Sequence, residues 1–79
     1  MSKENLSPTE RTVFLKLLMM SDPNDYVVEI VYYGRDKLAR EIGCSHRSML
    51  TFLLRLVHKG YIENLSKGTY RINIEKIKL

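Results

Sequence analysis

The stretch from Leu38 to Ile62, LAREIGCSHRSMLTFLLRLVHKGYI, restricts the possible folds more than any other part of the chain. Gly43 is the residue type that closes a helix in the left-handed conformation, and Ser45 is a strong N-cap. Gly60 supplies the same stop later on. The stretch therefore predicts a short helix two over about 35–42, a tight turn at Gly43-Cys44-Ser45, and a longer helix three over about 46–59. Leu38, Ala39 and Ile42 form the inner face of helix two. At about 100° per residue, Met49, Phe52, Leu53 and Leu56 gather on one side of helix three as its core face.

The flanking segments read as support for this pair. Residues 1–6 are expected to fray. Ser7-Pro8-Thr9-Glu10 opens a first helix over about 8–20: Ser7 caps it, Pro8 fits the first turn, and Glu10 bonds back to the cap. Val13, Phe14, Leu17 and Leu18 form its buried face, with Arg11 and Lys16 off it. Leu15, Met19 and Met20 widen the apolar stripe, which implies either packing on two sides or a partner chain. Residues 21–25 form a loop around Pro23. Residues 26–33, YVVEIVYY, are rich in β-branched and aromatic types and read as a strand, with Gly34 as a cap before helix two. Residues 61–65 and 69–74 are two further strands, joined by Ser66-Lys67-Gly68 as a hairpin. The tail, residues 75–79, is basic, with Ile77 and Leu79 interspersed.

Seventy-nine residues make one domain. Apolar residues at 44% and charged residues at 28% are ordinary for a folded chain and argue against disorder. The net charge of +4 favours a polyanionic partner. Cys44 is the single cysteine, so an internal disulfide and a cysteine-rich zinc site are both excluded. A reducing, cytoplasmic setting is expected, with no signal peptide and no membrane span.

The order helix, strand, helix, helix, strand, strand, together with RDKLAREIGCSHRSMLTFLLRLVHKGYIENLSKGTYRIN, resembles the winged helix-turn-helix superfamily over nearly the whole chain. The matching features are Leu-Ala in helix two, the Gly-small-Ser turn, the Gly-Tyr-Ile that follows helix three, and Gly-x-Tyr in the returning strand. The resemblance implies an α+β winged-helix fold, with the helix-turn-helix over about 35–59 and the wing over about 61–74. Among subfamilies it looks most like plasmid and phage replication or copy-control proteins of the RepL type, and more loosely like MarR-like regulators. It implies a protein that binds double-stranded DNA, with helix three in the major groove and the wing on the backbone.

By that resemblance, Arg47 and Thr51 on the outer side of helix three are the candidates for base contacts. His46, Ser48 and Arg55 are candidates for phosphates, and Ser45 caps the helix in the same patch. Lys67 at the wing tip and Arg71 on the returning strand would be electrostatic contacts. Arg35 and Lys37 are placed at the opening of helix two, where free amides could help hold a phosphate. The plainer alternative is that these cations only solvate exposed faces.

Leu50, Leu54 and Val57 form a second apolar stripe on helix three, where the superfamily commonly has polar residues. Three readings stay open. The first strand or Tyr32-Tyr33 covers the stripe; a homodimer forms through it; or the helix holds a protein, making the chain an interaction module rather than a DNA reader. Cys44 is expected to be a structural thiol in the turn. His46 and His58 lack acids at ligand spacing, and no triad or Gly-rich phosphate loop is present. The expectation is therefore a homodimeric DNA-binding regulator of transcription or of plasmid or phage replication, without catalysis, metal or cofactor.

Overall fold

A computed structural model describes residues 6–30 and 32–76. Along the chain run α1 (Pro8–Met20), β1 (Val27–Glu29), α2 (Tyr32–Ile42), α3 (His46–His58), β2 (Ile62–Ser66), β3 (Thr69–Ile72) and a short 3-10 turn, Ile74–Lys76. This is an α+β layout with the winged-helix order. The three helices and a three-stranded antiparallel sheet, ordered β1-β3-β2, enclose one core.

The start of α1 follows its sequence signal. The Glu10 amide donates to Ser7 Oγ at 3.2 Å, and the Ser7 amide donates to Glu10 Oε1 at 3.1 Å. Residues 1–5 lie outside the described set. Leu6, expected to fray, instead packs against the core. Ser45 caps α3 by accepting the Ser48 amide at 3.1 Å. Gly43 and Gly60 end α2 and α3 with φ of 86° and 81°.

The segment expected as one strand over 26–33 is divided. Only Val27–Glu29 pairs with β3, in the register Val27↔Arg71, Val28↔Tyr70 and Glu29↔Thr69. Helix α2 then begins at Tyr32, so Gly34 lies inside it and does not cap it. The reason is tertiary. β3 is four residues long, and beyond Glu29 the Ile30 amide donates to the Gly68 carbonyl at 2.6 Å as the last rung of the ladder, where β3 gives way to the wing turn. At the other end of β1, Tyr26 adopts a left-handed φ of 58°, and its carbonyl accepts the Ile72 amide at 2.8 Å. The third strand is also shorter than expected, because Ile74 belongs to the 3-10 turn.

β2 and β3 form the wing, with an irregularity between Asn64 and Ser66 and a tight turn at Lys67-Gly68. Asn64 Nδ2 braces the turn by donating to the carbonyls of Ser66 and Thr69 at 3.0 and 3.2 Å. Gly68 is required here on two counts. Its φ is 78°, and a Cβ at this position would stand 2.9 Å from the Ile30 carbonyl oxygen. Gly68→Ala should therefore cost about 2 kcal/mol in chemical denaturation, the order of one left-handed residue. The Gly68-to-Ile30 hydrogen bond should weaken with it, visible as faster exchange of the Ile30 amide.

Val13, Phe14 and Leu17 of α1, Leu38 and Ala39 of α2, and Met49, Leu53 and Leu56 of α3 meet Val28, Ile30, Ile62 and Ile72 in the core. Phe52, assigned to the core face, is half-buried at its edge. Phe14 and Tyr61 add an edge-to-face pair with centroids 5.3 Å apart, which docks the chain after α3 onto α1. Cys44 is half-buried and packs against the core. Among the described residues, no helix is long and apolar enough to cross a membrane.

Candidate nucleic-acid interface

Burial of Met49, Leu53 and Leu56 fixes how α3 is turned about its axis. At about 100° per residue, Arg47, Leu54, His58 and Thr51 then lie on the opposite face. All four are exposed. Arg47 has no ion-pair partner among the described residues, so its guanidinium is available to a ligand. The Thr51 hydroxyl donates to the Arg47 carbonyl at 3.3 Å and is already engaged. Ser45 and Ser48 are occupied with each other at the cap, their hydroxyls 3.1 Å apart.

Two of the expected backbone contacts, Arg55 and Arg71, are held in ion pairs, with their side chains still about half exposed. Arg55 Nη1 reaches Glu10 Oε2 at 3.4 Å, and Lys59 Nζ reaches Glu10 Oε1 at 2.8 Å. Arg71 Nη2 pairs with Glu63 Oε1 at 2.6 Å across the wing. Because α2 begins at Tyr32, Arg35 stands at the end of its first turn and Lys37 in its second, not at its opening. Lys67, at the turn of the wing, is exposed and has no ion-pair partner among the described residues.

His46 is engaged at both ring nitrogens. Nδ1–H donates to Asp36 Oδ1 at 3.1 Å, and Arg35 Nη1–H donates to Nε2 at 3.2 Å. A guanidinium only donates and a carboxylate only accepts, so the two contacts are satisfied together by the tautomer that carries its proton on Nδ1. Ten residues separate His46 from Asp36, which is not a ligand spacing within one helix; the turn between α2 and α3 brings the two together. Among the described residues, no group of three or more His, Cys, Asp or Glu could hold a metal.

Beside α3, a notch of about 250 Å³ opens between the helix and the wing. Arg35 and Lys67 line it together with Leu50, Leu53, Asn64 and Tyr70, and no acidic side chain does. Leu50 is thus partly accounted for as the wall of a cleft, with 38% of its surface exposed. Leu54 is 63% exposed, and neither β1 nor any other described element covers it. Val57 packs against the core edge. The proposed cover by Tyr32-Tyr33 rests on side chains outside those described.

No family model, curated protein or solved structure matches the chain.

Glu10 is the buried charge that joins the ends of α1 and α3, with its side chain 3% exposed. The Lys59 ammonium lowers its carboxyl below the ordinary value of 4.5; burial opposes this, and the Ser7 amide and Arg55 reinforce it. A carboxylate favoured in the fold contributes its full stability above the unfolded value and loses it as pH falls through the lower folded value. Glu10→Gln should cost about 2 kcal/mol at pH 7, the order of a charged hydrogen bond lost from a buried site. The gap between wild type and variant should narrow as pH drops below 4.5, when urea midpoints are compared across pH.

Proposed function

We propose that this protein binds double-stranded DNA, with α3 in the major groove and the wing against the backbone. Its action would be occupancy of an operator or origin in the cytoplasm, regulating transcription or plasmid or phage replication. One observation carries the reading. The outward face of α3 presents Arg47, and the wing turn presents Lys67, both exposed and without acid partners among the described residues. Exposed cations without acid partners on α3 and on the wing have electrostatics suited to a polyanion. The test is a salt series of duplex binding. Affinity should fall steeply as salt rises, and absence of any salt-dependent duplex complex would end the proposal.

Leu54 favours a second reading, a module that holds a protein through α3. The two readings compete for one surface, since Leu54 lies between Leu50 and Arg47 on the wheel. A homodimer seam through Leu54 would cover Arg47, so a DNA-binding dimer needs another seam. The outer face of α1 offers one, with Leu15 47% and Met19 81% exposed. In light scattering at high concentration, a dimer that survives Leu54→Glu but is lost in Met19→Glu supports DNA binding through α3. A dimer lost in Leu54→Glu alone supports the interaction module.

A further inference from the structure

We infer that the notch between α3 and the wing takes one sugar-phosphate unit of the DNA backbone, with its phosphate shared by Arg35 and Lys67 and its sugar on Leu50 and Tyr70. The inference rests on the DNA-binding reading and assigns a function to residues that reading leaves unexplained. The notch holds two cations and no acid, which selects an anion. Its remaining walls are largely apolar, which selects an anion joined to an apolar body. At about 250 Å³ it lies below the roughly 300 Å³ at which sites for drug-sized ligands begin. A single deoxyribose with its phosphodiester meets these limits. The notch also borders the Arg47 face, because Leu50 is one turn along α3 from Arg47, so a backbone there runs beside bases that Arg47 would meet.

Asp36 is the positioning residue of this site. It fixes the His46 ring through Nδ1–H, and His46 Nε2 accepts from Arg35 Nη1. The half-buried Arg35 is thereby held at the notch instead of sweeping through solvent. On the opposite side, Lys67 is carried on a turn braced by Asn64. Leu50, which looks misplaced on a DNA-facing helix, becomes the surface for the sugar.

The test uses the full chain and a duplex that it binds, with circular dichroism confirming that each variant folds. The slope of log affinity against log salt should flatten by about 0.9, one phosphate, when Arg35→Gln and Lys67→Gln are combined. A flattening of about twice that means two separate phosphates and overturns the shared site. Leu50→Ala should weaken binding roughly fivefold with the slope unchanged, since it removes only apolar contact. Asp36→Ala removes a negative charge together with the acceptor for His46 Nδ1–H, and would tighten binding if Asp36 merely repelled DNA. The relay requires weaker binding, and tighter binding overturns it. If the wild type binds duplex but none of these variants changes affinity or slope, the notch fails while the broader reading stands. If the wild type binds no duplex, both fail. Inorganic phosphate that saturates the notch at the Gly68 amide, with duplex binding unaffected by the variants, makes it a free-anion site and also overturns the proposal.

Discussion

Leu56→Ala will lower the unfolding free energy by about 3 kcal/mol, within the range of about 2–5 kcal/mol for buried leucine truncations. Leu56 has no exposed surface and lies at the end of α3 where three constraints meet. Its carbonyl accepts the Tyr61 amide at 2.9 Å, Gly60 turns the chain there, and Asn73 Nδ2 reaches the Gly60 carbonyl at 2.8 Å. The site cannot collapse to fill the space without moving the root of the wing. A domain of this size has roughly 4–12 kcal/mol to lose, so the variant gives up a large fraction of its stability. Urea denaturation gives the number. A cost below about 1 kcal/mol would mean that the packing around α3 relaxes freely, and the argument that burial fixes the α3 face would lose its basis.

Arg47→Ala gives the opposite pattern. Its side chain is exposed and without an ion-pair partner among the described residues, so the melting curve should barely change. Duplex affinity should fall about ten- to a hundredfold at fixed salt, the order of one bidentate base contact. If Arg47 reads a guanine, the loss should be largest on the preferred sequence and small on others; if it only meets phosphate, the loss should be uniform. Fluorescence anisotropy on a selected duplex and a scrambled one separates the cases. Unchanged affinity on both would remove Arg47 from the interface. With Leu56→Ala, this variant separates loss of fold from loss of contact.

The parts legible in the sequence are those set by local chemistry. The Ser7–Glu10 capping box, the glycine stops at Gly43 and Gly60 and the Ser45 cap all involve residues a few positions apart, and the α1 and α3 boundaries follow from them within a residue. The segment YVVEIVYY misled because its composition favours a strand throughout, while the length of β3 and the Gly68 contact decide where pairing stops. Glycine at position 34 looked like a boundary for the same reason; tertiary packing overrides propensity inside α2. The candidate site was legible on α3, where periodicity alone turns Arg47 and Thr51 outward. It was not legible for Arg55 or His46, whose partners Glu10 and Asp36 stand 45 and 10 residues away. No spacing rule links such pairs, and only the fold shows that one cation is committed and that one imidazole is held.

The short strand β1 has a mechanical consequence. Its three paired residues are flanked by two further hydrogen bonds, Ile30 to Gly68 and Ile72 to Tyr26, which clamp both ends of β3. A wing rooted in this way has no hinge where it joins the body. Bending is confined to the outermost turn at Lys67, and any larger swing must break β1 away from β3 as a unit. The wing thus acts as a stiff lever whose tip alone adapts, and the distance between Lys67 and α3 is set by the folded body before any ligand arrives.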